Sequence, residues 1–221
     1  MSFMSFELYI GIFIGLVVVA IFVSILYFNL ETKKDFKQKL QSDITLEQML
    51  GAEEVVETFY RENKLHRGCE LDTIANALLV KRGTVDPNLT TAQAHLSDPG
   101  ADGYRVVTFR VGLGETEKRF LYAHECAHVL NHDVTPATRP EGHNKPPCEQ
   151  IADYTAAAFL MPFKDVQSIL QMHNYASSSK KQRIKVLRLL CKQYKVSEMV
   201  AIRRISEVEQ LNRIMKSDDA I

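Results

Sequence analysis

The chain has 221 residues, enough for one globular domain with a core plus an appendage. Its 27 basic and 27 acidic residues cancel, so the overall charge does not call for a nucleic-acid or polyanion partner. The four cysteines, Cys69, Cys126, Cys148 and Cys191, contain no CxxC pair, which argues against a cysteine-based zinc knuckle and against a disulfide framework.

Apolar residues are unevenly spread. Residues 8–28 read LYIGIFIGLVVVAIFVSILYF, uncharged throughout, and an apolar helix of about 20 residues matches the hydrocarbon core of a bilayer. Lys33, Lys34, Lys37 and Lys39 follow it, and no Lys or Arg precedes it. The positive-inside tendency therefore predicts a single-pass membrane anchor with its N-terminus outside and the rest of the chain cytoplasmic. The missing basic n-region and the long apolar core argue against a cleaved signal peptide. Gly11 and Gly15 form a GxxxG spacing, compatible with a homodimer through this helix. The expected segmentation is an anchor over 1–30, a juxtamembrane linker over 31–46, a main domain over 47–175 and a helical segment over 176–221.

Past the linker, Leu46, Met49, Leu50, Val55, Val56, Phe59 and Tyr60 fall at helical spacing and predict a helix over 45–65. A second helix is expected over 71–80. Residues 83–103 carry Pro87 and Pro99 and read as irregular, with room for a short strand. Residues 104–111, YRVVTFRV, are the best strand, closed by Gly112 and Gly114. A helix capped near Thr116 should run to about Asn131. Pro136, Pro140, Pro146 and Pro147 make residues 133–147 a loop. The next helix, over 148–161, has Pro147 in its first turn and stops at Pro162. Two more helices are expected over 180–194 and 197–214. The fold class is α+β, mostly helical, with a small β-sheet and a C-terminal helix pair.

Chemistry concentrates in one of these helices. His124 and His128 stand four residues apart, so both project from one helical face. Two imidazoles so placed can bind one zinc ion (Zn2+), and Glu125 between them can act as general base on a water at the same metal. A catalytic site needs a third protein ligand and one open position. A third histidine six residues past the second is absent, since that position is Val134. A Glu on the following helix is the other common solution, and Glu149 is so placed. Asp153, one turn further along, can hydrogen-bond the outer nitrogen of a zinc-bound histidine and fix its tautomer. HExxH followed by ExxxD is the motif pair of thermolysin-like gluzincins, so the domain is expected to be zincin-like.

The stretches RFLYAHECAHVLNH (119–132) and EQIADYTAAAFLMP (149–162) resemble the ImmA/IrrE family of zinc metallopeptidases. LLCKQYKVSEMVAIRRISEV (189–208) is similar to that family's C-terminal helix pair, and the resemblance covers roughly 73–211. Three positions depart from the pattern: Asp153 stands where Asn is usual, Thr155 where Phe is usual, and Ala127 where Gly is common. The resemblance implies His124, His128 and Glu149 as zinc ligands and Glu125 as catalytic base. It also implies an endopeptidase whose protein substrate is a DNA-binding repressor. The alternative is a membrane-tethered binding protein that uses the peptidase fold without cutting.

Other residues receive plainer readings. His132 is taken as a favourable charge near a helix C-terminus, and Cys126 as a small packed residue. His143, Tyr122 and Tyr154 are candidates for stabilising an oxyanion. Residues 194–204 have a helix-turn-helix flavour with Arg203 and Arg204, but Glu198, Glu207 and Glu209 argue against direct nucleic-acid binding.

Overall fold

The computed structural model describes residues 44–90, 92–133 and 146–218. The chain divides into two units, Met1–Ser42 and Asp43–Ile221, of which the first lies outside the described residues. The second holds seven helices and a three-stranded sheet among its described residues.

Helix α1 (Leu46–Glu62) starts at a reciprocal cap: Thr45 Oγ1 accepts the Gln48 N–H, and the Thr45 N–H donates to Gln48 Oε1 at 2.7 Å. Met49, Ala52, Val56, Phe59 and Tyr60 form its buried face. Helix α2 (Leu71–Ala77) is shorter than its apolar stretch. Leu79 adopts a left-handed conformation (φ 57°), and Val80 turns into strand β1 (Val80–Asp86). Strand β2 (Ala94–Leu96) and strand β3 (Arg105–Arg110) follow.

The sheet order is β1-β3-β2, with β1 parallel and β2 antiparallel to the central β3. Val107 and Phe109 alternate inward from β3 into the core. The β1–β3 register shifts between Arg82 and Val85. Gly83 sits at this bulge, where a Cβ would come within 2.8 Å of the Val107 carbonyl oxygen, so only glycine fits. Sequence reading placed Val85 and its neighbours in an irregular stretch because this strand is exposed on most positions and shows no clean alternation.

Helix α3 (Glu115–Leu130) begins one residue before Thr116. Gly114 is the cap, and Glu117 reaches back to its N–H at 2.7 Å. Helix α4 (Pro147–Leu160) starts on a proline whose missing N–H would be unpaired there anyway. Helix α5 (Phe163–Met172), which the sequence reading did not anticipate, buries only Val166 and Leu170. After a 3-10 turn (Tyr175–Ser177), helices α6 (Lys180–Tyr194) and α7 (Glu198–Asp218) are the last described elements.

Helices α3 and α4 form the centre. Leu121 through Ala127 are buried along α3, and Ala152 through Leu160 along α4. Ala123, Ala127, Ala152 and Ala156 have no exposed surface, so small side chains let the two helices approach closely. Phe59 and Tyr60 of α1 meet Phe159 of α4 edge-on, at ring centroid distances of 5.8 and 6.4 Å. Such aromatic pairs contribute about 0.5–1.5 kcal/mol each beyond area burial.

The expected single-pass membrane placement, with a cytoplasmic catalytic domain, is corrected. Among the described residues no helix is long and apolar enough to cross a membrane. The longest, α7, has 21 residues but carries Glu198, Arg203, Arg204, Glu207, Glu209 and Arg213, which hydrocarbon would not accommodate. Residues 8–28, on which the expectation rested, lie outside the described residues.

Candidate metal centre

Helix α3 supplies His124, Glu125 and His128, and α4 supplies Glu149 and Asp153. The four-residue spacing puts both imidazoles on the face of α3 that meets α4, with ring centroids 4.6 Å apart. His124 Nε2 and His128 Nε2 lie 2.8 Å apart. Glu149 closes the group, its Oε2 at 3.2 Å from His124 Nε2 and its Oε1 at 3.3 Å from His128 Nε2. His124, Glu149 and Asp153 are buried, and His128 is nearly so. Glu125, 7% exposed, is adjacent to the first histidine in sequence and displaced around the helix from it.

Each histidine also binds a carboxylate through its outer nitrogen. His124 Nδ1 lies 2.8 Å from Asp153 Oδ1, and His128 Nδ1 lies 2.8 Å from Asp133 Oδ1. An ionised carboxylate only accepts, so each Nδ1–H is the donor and each Nε2 lone pair faces inward. Three electron-pair donors thus share one small buried volume, an arrangement that requires a positive species among them. Burial alone pushes the His128 imidazole down, but the Glu149 and Asp133 carboxylates more than offset it and hold its pKa above the ordinary value.

His124, His128 and Glu149 form a group that can hold a metal ion. Two imidazoles and one carboxylate are the donor set of a three-ligand catalytic zinc site. A tetrahedral zinc with bonds of about 2.0–2.2 Å spreads its ligand atoms roughly 3.3 Å apart. The two nitrogen-to-oxygen separations match that spacing, and the nitrogen pair is slightly tighter. The residues present therefore fit the ion.

Behind Asp153 lies an ionic network that sequence reading missed. Arg203 Nη1 binds Asp153 Oδ2 at 3.3 Å, and Arg203 Nε binds Glu207 Oε1 at 2.9 Å. Arg204 is fully buried. It donates to the Met161 carbonyl at 2.9 Å and to Glu53 Oε1 at 2.7 Å, with Glu207 Oε2 at 3.5 Å. Burial pushes the Glu207 carboxyl up, and Arg203 and Arg204 oppose it. The basic pair noted in the sequence thus turns inward onto carboxylates. No local signal announces this, because Glu53 and Arg204 lie in the first and last described helices.

Tyr154 donates its hydroxyl to Glu53 Oε1 at 2.7 Å, and Tyr122 donates to the Val80 carbonyl at 3.4 Å. Both hydroxyls are committed away from the histidines, which removes them as oxyanion stabilisers. His143 lies outside the described residues. His132 is left-handed (φ 55°) just past the end of α3. Cys126 is fully buried, and burial pushes its thiol pKa well up.

The family profile of the IrrE N-terminal-like domain, a peptidase family, matches residues 73–206. That is more than half of the chain, and the chain belongs to this family. A solved Mycobacterium tuberculosis transcriptional regulator is similar in structure at a TM-score of 0.46 and 18% identity, over 80% of this chain and 51% of that one. The present chain thus spans about half the length of that regulator. No curated protein matches in sequence.

Proposed function

We propose that this chain is a zinc-dependent endopeptidase in which His124, His128 and Glu149 are the metal ligands and Glu125 is the general base. The observation that carries this reading is the convergence of both Nε2 atoms on the Glu149 carboxylate, with each outer nitrogen tied to a further carboxylate. That tautomer presents two lone pairs to a cation and is the one a metal ligand needs. Membership of a peptidase family supports hydrolysis of a peptide bond as the reaction.

A zinc ion held by these residues supplies Lewis acidity, polarising the scissile carbonyl and acidifying a water toward a pKa of about 7. Glu125 would take a proton from the attacking water through its carboxylate and deliver it to the departing amine nitrogen. Asp153 holds the His124 ring in its tautomer, and Arg203 holds Asp153. The packed helices exclude bulk water from the inner side of the site, where His124 has no exposure. The substrate we propose is a protein, and by analogy with the family resemblance a DNA-binding repressor.

Replacing Glu125 with Gln tests the mechanism. The variant should bind metal as the wild type does and lose cleavage by at least about 100-fold, the size of a general-base contribution. Retained cleavage by Glu125→Gln would exclude the assigned base. Stable binding of a repressor that neither protein cuts would favour a binding role without hydrolysis.

A further inference from the structure

Asp133 sits outside both zinc motifs and has no partner in the sequence pattern. We propose that Asp133 is a positioning residue of the metal centre, fixing the tautomer and direction of His128. This rests on the metal-site reading above.

The end of α3 builds the contact. His132 takes the left-handed conformation, its N–H bonds the Val129 carbonyl at 3.3 Å, and the Asp133 N–H bonds the His128 carbonyl at 3.2 Å. This is the Schellman pattern of helix termination, with a histidine where glycine is usual. It folds the chain back so that Asp133 is tied to His128 twice, by backbone and by side chain. The carboxylate receives the His128 Nδ1–H at 2.8 Å. His124 is held differently, by Asp153 from the neighbouring helix.

Helix capping does not explain the carboxylate. The Schellman bonds use only backbone groups of residue 133, so any side chain would serve. A negative charge just past a helix C-terminus opposes the macrodipole and is mildly unfavourable there. Toward a cation between the imidazoles, every effect of the carboxylate has the same sign. It keeps the proton on Nδ1 and the lone pair on Nε2, raises the basicity of the ring, and adds negative charge close to the ion.

The test uses the full chain as wild type, Asp133→Ala and Asp133→Asn. Zinc affinity is measured by chelator competition, the visible absorption spectrum is recorded with cobalt(II) in place of zinc, and heat unfolding is followed for the metal-free proteins. Asp133→Ala should bind zinc about 10–100-fold more weakly, the usual effect of removing such a partner. Asp133→Asn should lose less, because its amide oxygen still accepts the Nδ1–H, and it replaces the alanine variant if that one does not fold. Metal-free unfolding should move earlier by much less than zinc binding weakens, since only the Nδ1–H contact is lost and the two backbone bonds remain. Zinc affinity within twofold of wild type with an unaltered cobalt spectrum would overturn the proposal. So would an affinity loss matched by an equal loss of metal-free stability, which would make Asp133 merely structural. A folded wild type that binds no zinc sinks the metal-site reading and this inference with it, whereas a zinc-binding wild type matched by Asp133→Ala sinks this inference alone.

Discussion

At the scale of single residues, buried charge among the described residues is paired at Asp153, Arg204 and Glu207. Arg204 is the clearest case, with no exposed surface, two acceptors in the Met161 carbonyl and Glu53, and an ion pair with Glu207. Replacing it with Ala leaves Glu53 without its cation and Glu207 with Arg203 alone. Removing one partner of a buried ion pair costs about 3–5 kcal/mol, and that loss is expected in denaturant unfolding of Arg204→Ala. Arg204→Lys should recover little, because a single ammonium cannot reach the Met161 carbonyl, Glu53 and Glu207 at once. A loss below about 1 kcal/mol in the alanine variant would mean the network contributes no more than a surface pair. In the proposed metal site an ion would take the role that the guanidinium has here, among the buried His124, Glu149 and Asp153.

At the scale of elements, α3 and α4 act as one unit whose spacing sets the site. Glu149, Ala152, Asp153 and Ala156 share a face of α4 at helical spacing, so functional and packing residues alternate along one contact. Ala156→Leu forces extra methylenes into this contact. It should destabilise the fold by about 1–3 kcal/mol and also weaken zinc binding, because the helices part where the ligands meet. Unchanged affinity in a destabilised variant would separate the spacing of the helices from the site. The element scale also shows what the sequence could reveal. The helices of the site were legible because apolar periodicity, bounding prolines and the HExxH and ExxxD spacings all coincide there. His124, His128, Glu149 and Asp153 are brought together as that spacing suggested. Strand β1 was not legible, because its core contact begins at Val80, inside an apolar run that reads as helix. Helix α5 was passed over at Pro162, although Phe163, Val166, Ile169 and Leu170 fall at helical spacing. Asp133 was hidden because its position depends on the left-handed His132, and left-handed histidine has no sequence signature.

At the scale of the whole molecule, the first and last described helices meet behind the site. Glu53 of α1 and Arg203, Arg204 and Glu207 of α7 connect to Asp153, and through it to His124. Helix α7 therefore helps support Asp153 and His124, a role its sequence, with a helix-turn-helix flavour, did not announce. The hydropathy of residues 8–28 pointed to a membrane, and the described helices give that placement no support. The claim on which the rest depends is that His124, His128 and Glu149 bind zinc. The most direct measurement is elemental analysis of the purified full chain beside Glu149→Ala. The account predicts about one zinc per wild-type chain, lost or much weakened in the variant. A folded wild type without zinc, even after zinc is supplied, would contradict it.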